Sequence, residues 1–193
     1  AGYIDLDALT LLLKEPTGLI SVVAANSETG ILNPIEAIAE KAHNAGAVFH
    51  CDATQLVGRL PVPSGPDMMS LSSHKICGPT GVGALVATRK VRNNLSPVIH
   101  GGGHEDGLRS GSPNVAGIAG FGRAAELAHS HAENDMEKIT SLRDRLADLL
   151  VSELSDIRQV GDITHRLPNT LSMHFASTDA EAIMANCPDI SMS

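Results

Sequence analysis

Three polar residues, Ser27, Asp52 and Lys75, each follow an apolar run, at intervals of 25 and 23 residues along the chain. The runs are Leu19-Ile-Ser-Val-Val-Ala-Ala25, Ala47-Val-Phe-His-Cys-Asp52 and Met68-Met-Ser-Leu-Ser72. Such spacing suits strands separated by crossover connections in a mostly parallel α/β sheet. In open sheets of that kind the carboxyl ends of the strands line the ligand crevice. The three tips are therefore expected to face one site.

The segments between the strands fit this reading. Asn33 is placed to cap a helix, with Pro34 at its first position and Glu36 three residues after the cap, a variant of the capping box. Ile35, Ile38, Ala39 and Ala42 form the apolar face of that helix, and Gly46 ends it. Upstream, residues 5–14 read as a short helix with Leu6, Leu9 and Leu13 on one face, broken by Pro16-Thr-Gly18. Gly81 to Arg89 reads as a fourth strand. A glycine-rich polar loop runs from His100 to Asn114, and helices are expected over 115–128 and 133–154. The second carries Met136, Ile139, Leu142, Leu146, Leu149 and Leu150 as a core stripe. Residues 164–176 turn into a strand around Leu171 and Met173. A boundary is expected at residue 132, where glycine-rich loops give way to a charged amphipathic helix.

Composition narrows the chemistry. Fourteen basic against 22 acidic residues and 2% aromatics argue against nucleic-acid binding, which needs basic faces and stacking platforms. No run approaches the roughly 18 apolar residues of a membrane span, so no membrane partner is expected. Cys51, Cys77 and Cys187 are odd in number and widely spaced, unlike a disulfide framework or a paired zinc motif. A reducing, cytoplasmic setting is the default. The first residues lack a basic leader, and both ends read as cut, from Ala1 to Ile190-Ser-Met-Ser193.

The chemistry concentrates around Leu71-Ser-Ser-His-Lys75, which a glycine-rich turn follows. A lysine ending an apolar strand is a candidate Schiff-base former, and hydroxyls with exposed amides suit a phosphate. Pyridoxal 5'-phosphate (PLP) needs an amine for its aldehyde, an anion for its pyridine nitrogen and donors for its phosphate. Lys75 and Asp52 supply the first two; Ser72 and His74 supply the third, and the Gln55 amide is within reach of the ring oxygen. Plain alternatives exist for each. Asp52 also suits a cap on the turn that follows it, and His74 a satisfied loop histidine.

His50-Cys-Asp-Ala-Thr-Gln55, Ser72-Ser-His-Lys-Ile-Cys-Gly-Pro79 and Gly101-Gly-Gly-His-Glu-Asp-Gly-Leu-Arg-Ser-Gly111 resemble the cysteine desulfurases, class V aminotransferase relatives of PLP fold type I. Selenocysteine lyases are close kin. The resemblance implies a three-layer α/β/α PLP-binding large domain, of which residues 1–132 are the C-terminal part. Residues 133–193 would then be part of a small α+β domain. It implies that Lys75 binds PLP covalently and acts as general base, that Asp52 pairs with the pyridine nitrogen, and that Gln55 bonds the ring oxygen. Ser72 and His74 would hold the phosphate. Ser112, where the family usually carries Thr, would reach the phosphate in a partner subunit, which implies a homodimer. Ser27 stands where the family usually carries Asn, so either Ser27, through a water, or Asn26 would contact cofactor and substrate. His104 is a candidate for proton movement.

The implied reaction converts L-cysteine to L-alanine and passes the sulfur to an enzyme thiol, for sulfur metabolism or iron–sulfur cluster biogenesis, with a sulfur-acceptor protein as a further partner. The attacking cysteine is expected beyond Ser193: Cys51 faces away from Asp52 by strand alternation, and Cys77 reads as packing. On this reading the chain alone is inactive, and a transit peptide upstream would redirect the protein to mitochondria. Selenocysteine is the alternative substrate, and a non-catalytic dimerising fragment the alternative of another class. A metal site built on His50, Cys51, Asp52, His74, Cys77, His100 and His104 lacks ligand spacing. A P-loop is ruled out because Lys75 precedes its glycines.

Overall fold

Ile35, Ile38, Ala39 and Ala42, an i, i+3, i+4, i+7 stripe, are all 2% exposed or less on helix α2 (Ile35–Asn44) in the computed structural model, which describes residues 2–192. Ala1 and Ser193, the outermost residues of the two ends read above, lie outside the described residues. The chain divides into two compact units. One comprises Ile4–Ala24 and Asn33–Ala132; the other comprises the residues up to Tyr3, Ala25–Leu32, and those from Glu133 onward.

The first unit carries a sheet of four strands, β1 (Leu19–Val23), β2 (Val48–Asp52), β3 (Met68–Ser72) and β4 (Gly83–Ala87), adjacent in that order. β1, β2 and β3 are parallel, with Leu19 opposite Val48 and His50 opposite Met68. β4 runs antiparallel to β3, with Ser72 opposite Gly83. The cause is loop length: Ser73 to Val82 is too short for the crossover of a dozen or more residues that a parallel return requires. The fold is thus mixed α/β with a mostly parallel sheet, as the strand spacing predicts.

Burial alternates along β2. Phe49 and Cys51 are fully buried, while Val48, His50 and Asp52 are partly exposed. Removing Phe49 from water contributes about 2–3 kcal/mol. β1 is less enclosed than its apolar sequence predicts: Ile20 is buried, but Leu19 and Val23 are exposed. Helix α1 (Leu6–Leu12) is shorter than expected, because Asp5 lies outside it as its cap, its carboxylate accepting from the Asp7 and Ala8 amides. Asn33 does not cap α2. Its Oδ1 accepts from the Ile4 amide at 2.9 Å and its Nδ2 donates to the Val23 carbonyl at 2.9 Å. The side chain is drawn to the end of β1 instead, and Pro34 takes the cap position without a side-chain bond. A one-turn helix α3 (Arg89–Arg92) follows β4.

The two helices expected over 115–128 and 133–154 are one, α4 (Val115–Glu153). The intervening His129-Ser-His-Ala132 holds no glycine or proline, and two of its side chains bond back within the helix. Ser130 Oγ and His131 Nδ1 both bond the Leu127 carbonyl, at 3.0 and 3.1 Å. The stripe expected as core on the second half is only partly so: Leu142, Leu146 and Leu149 remain exposed, while Met136, Ile139 and Leu150 are half-buried.

In the second unit, Ala25–Leu32 turns back on itself through an Ala25–Leu32 bridge and pairs Ile31 with Arg166. The Leu167 amide donates to the Gly30 carbonyl at 2.7 Å. β5 (Ile157–Gln159) and β6 (Met173–Phe175) form an antiparallel pair. α5 (Ala180–Asn186) is capped by Asp179, whose carboxylate accepts from the Ala182 amide.

Candidate active site

Asp52 closes β2, opposite Val23 on one side and Ser70 on the other. Its carbonyl accepts from the Ala24 amide at 2.8 Å, and Ala53 donates to the Ser70 carbonyl at 3.1 Å. The strand end is therefore pinned from both neighbours. Asp52 Oδ1 accepts from the Thr54 amide at 3.0 Å, so the carboxylate does cap the following turn. Oδ2 is left for another partner. Gln55 sits half-buried in that turn.

β3 ends at the same edge of the sheet and passes into a 3-10 turn, Ser73–Ile76, which carries Lys75. Ser72 Oγ and His74 Nδ1 lie 2.9 Å apart. Lys75 is half-buried, and among the described residues its ammonium has no side-chain or carbonyl partner. Cys77 ends the turn with φ 63°, in the left-handed region. The Gly78 amide then closes back on the Ser73 carbonyl at 3.0 Å. Cys77 is exposed rather than packed as expected, since a residue forced to positive φ at a turn end points outward here.

Arg59 is a residue that motif reading passed over. Its Nη1 donates to the Gln55 carbonyl at 2.8 Å and its Nη2 to the Lys75 carbonyl at 2.9 Å. Only the position of a basic residue four after Gln55 could have drawn attention to it.

The structure thus brings Asp52, Gln55, Ser72, His74 and Lys75 to one sheet edge. His104 and Ser112 are on the exposed loop after α3, and no hydrogen bond joins either to that group among the described residues. The loop is held by one contact to α3 and one of its own: Arg92 pairs with Asp106 at 2.6 Å, and the Gly103 amide donates to Ser110 Oγ at 3.3 Å. Asn26 and Ser27 belong to the other unit. There Asn26 Oδ1 accepts from the Glu28 amide, the Thr29 amide and Thr29 Oγ1, at 2.9, 2.9 and 3.1 Å. Ser27 Oγ lies 3.4 Å from Glu28 Oε1. The Asn26 carbonyl oxygen is committed to its own turn.

Two groups are removed from nucleophilic or metal chemistry. Cys51 is fully buried, and burial, with the charges of Asp52 and Glu36, pushes its thiol up to about 11. The His50 ring is held at both nitrogens, by Ser21 Oγ at 2.8 Å and Ser70 Oγ at 3.2 Å. No group of three His, Cys, Asp or Glu side chains converges as a metal site among the described residues.

The donor set fits PLP. An unpaired, half-buried amine suits the aldehyde, and a carboxylate with one oxygen uncommitted suits the ring nitrogen. The Ser72 hydroxyl and His74 ring, already oriented by each other, suit the phosphate.

Known proteins agree with this fit. Over all of this chain, a cysteine desulfurase, IscS, of Anaeromyxobacter sp. (strain Fw109-5) is 44% identical, and the match covers 48% of that protein. The chain therefore spans about half the length of the curated relatives it matches. A solved NifS-like protein from Rickettsia africae ESF-5 superposes with a TM-score of 0.90 at 33% identity, over 100% of this chain and 56% of that one. SspA, solved in complex with cysteine, is 40% identical with a TM-score of 0.61, over 65% of this chain and 37% of its own. The family model for aminotransferase class V matches residues 1–189. With nearly every residue matched and a lysine, an aspartate and a serine–histidine pair at one parallel-sheet edge, the chain belongs to the class V aminotransferase family.

Proposed function

We propose that the protein carrying this chain is a PLP-dependent cysteine desulfurase that converts L-cysteine to L-alanine and transfers the sulfur to an enzyme thiol. The observation that carries this reading is the unpaired Lys75 amine, emerging at the same sheet edge as Asp52 and beside the Ser72–His74 pair. The curated relative named cysteine desulfurase and the relative solved with cysteine support the substrate.

When bound, PLP supplies an electron sink for the substrate's α-carbon. Lys75 would hold it covalently and serve as general base toward the substrate's α-proton. Asp52, fixed by its cap on the Thr54 amide, would face the ring nitrogen and keep it protonated. Gln55 would bond the ring oxygen, and Ser72 and His74 the phosphate. The substrate's C–S bond breaks as an enzyme thiolate forms an S–S bond to the departing sulfur, and protons restore the methyl group of alanine. Burial and a raised pKa remove Cys51 from that nucleophilic role. Ser112, on its exposed loop, would reach the cofactor phosphate of a second copy in a homodimer, and His104 would assist proton movement. The setting is cytoplasmic, with a sulfur-acceptor protein for iron–sulfur cluster or other sulfur metabolism.

The test uses the full-length protein. Adding PLP should give a visible absorption band that Lys75→Ala abolishes, and L-cysteine should yield alanine and enzyme-bound sulfur in equal amounts. A visible band without alanine from cysteine would overturn the substrate; alanine from selenocysteine alone would assign a selenocysteine lyase.

A further inference from the structure

The half-buried guanidinium of Arg59 has no carboxylate partner among the described residues. Its bonds go to two backbone carbonyls, those of Gln55 at 2.8 Å and Lys75 at 2.9 Å. Burial lowers its pKa, with Cys77 pulling the other way, so the site bears a desolvation cost that no carboxylate among the described residues offsets. The carbonyls it serves belong to the turn after β2 and the turn after β3, the two segments that carry Asp52, Gln55 and Lys75.

The Lys75 carbonyl is one of the last of its 3-10 turn, where helical partners run out. The Cys77 and Gly78 amides both return to Ser73 rather than to it. Arg59 fills that vacancy from the neighbouring tip. The Gln55 bond reaches four residues back within its own turn, so the guanidinium is oriented by one tip while it grips the other. A planar fork with separate N–H groups serves two carbonyls at fixed separation; a lysine ammonium is a single point donor.

An independent feature keeps the two turns close. Gly58 has φ +80°, and a Cβ there would lie 2.8 Å from Ile76 Cγ2 and 3.1 Å from Ala128 Cβ. The turn after β2 therefore comes closer to the residue following Lys75 than any side-chain-bearing residue allows. Gly58 grants the approach and Arg59 fixes it.

We infer that Arg59 is a positioning residue that sets the place of Lys75 relative to Asp52 and Gln55, and so the tilt and retention of the cofactor, without touching the reacting atoms. This rests on the PLP reading given above. Asp52 and Lys75 would hold opposite ends of one rigid ring, so a shift between their tips would be felt by both.

The full-length holoprotein tests this with Arg59→Met, which keeps the stem and removes the fork, Arg59→Lys, and Ile38→Ala. The last is a control that cuts stability in the core of α2 without touching the turns. Unfolding midpoint, PLP release rate and visible circular dichroism per unit of visible absorbance are measured for each. Arg59→Met should release PLP about tenfold faster and lose at least half of the visible dichroism. Arg59→Lys should recover part of both, and Ile38→Ala neither loss despite an equal or lower midpoint. Release and dichroism that follow the unfolding midpoint across all three variants, or stay within twofold of wild type in Arg59→Met, would overturn the inference. Should Arg59→Met not fold, Arg59→Lys decides: native release and dichroism in that variant also overturn it. A wild-type protein that gives no visible band with PLP would instead sink the cofactor reading, a result that no variant is needed to recognise.

Discussion

Ser72 Oγ and His74 Nδ1 are 2.9 Å apart, two residues from each other across the start of the turn that carries Lys75. The bond orients both side chains before any ligand arrives. Ser72→Ala and His74→Ala should each weaken PLP binding about fivefold to tenfold, the value of roughly 1 kcal/mol per hydrogen bond. The double variant should lose less than the product of the two, because either change alone already frees its neighbour. PLP dissociation constants from absorbance titration of the full-length protein check this.

Asp67 ties the start of β3 to α2 and β2. Its Oδ2 lies 2.9 Å from His43 Nε2 and accepts from the Phe49 amide at 2.9 Å, while its own amide donates to the Phe49 carbonyl at 2.8 Å. Burial works against the charge, but the Phe49 and His43 hydrogen bonds, with the His43 and Lys90 charges, outweigh it and hold the carboxyl below its ordinary range. A carboxylate with a depressed folded pKa contributes stability above its unfolded value and loses it as pH falls through the folded one. Asp67→Asn should therefore cost about 1–2 kcal/mol at neutral pH. Its difference from wild type should shrink below about pH 4. Urea unfolding across that range measures both.

Ser73 Oγ is buried and has no hydrogen-bond partner among the described residues, and a Cβ on Gly78 would clash with it and lie 3.0 Å from Ala124 Cβ. Gly78→Ala should destabilise by about 1–3 kcal/mol through overpacking. Ser73→Ala removes an unsatisfied hydroxyl and should stay within about 1 kcal/mol of wild type. Combining them should recover part of the Gly78→Ala loss, as denaturant midpoints of the four proteins will show.

Cys51 and Cys77 differ in exposure and should differ in reactivity. Cys77 is open to solvent, whereas Cys51 is fully buried with a pKa raised to about 11. A thiol reagent should label Cys77 in the folded protein and Cys51 only on unfolding. The raised folded pKa means that Cys51 favours the fold fully below its ordinary value, near 9. That contribution falls as pH rises toward 11, by up to about 2 kcal/mol. Cys51→Ala should flatten that part of the alkaline stability curve.

The sheet and its polar tips were readable because strand and helix periodicities are local. The Ile35–Ala42 stripe and the Asp52 and Lys75 tips needed no tertiary knowledge. Antiparallel β4 was not distinguished, since an apolar run carries no sign of its direction; only the short Ser73–Val82 return does. Asn33 read as a cap because a cap and a tertiary staple use the same amide, and the Val23 carbonyl that won it lies ten residues away. The single helix α4 was split because a change from glycine-rich to charged sequence reads as a helix end, yet no breaker stands there. Leu142, Leu146 and Leu149 have the period of a core face, but period says nothing of what covers it. Arg59 escaped notice because backbone carbonyls, its partners, leave no trace in sequence.

The four strands lie side by side in the order in which they leave the ribosome. Leu19 finds Val48, His50 finds Met68 and Ser72 finds Gly83, so none of these three ladders waits on a distant segment. Each closes a modest loop, which keeps the entropic barrier to register low. The tips that carry Asp52 and Lys75 are therefore joined by a pairing that needs only the short stretch of chain between β2 and β3.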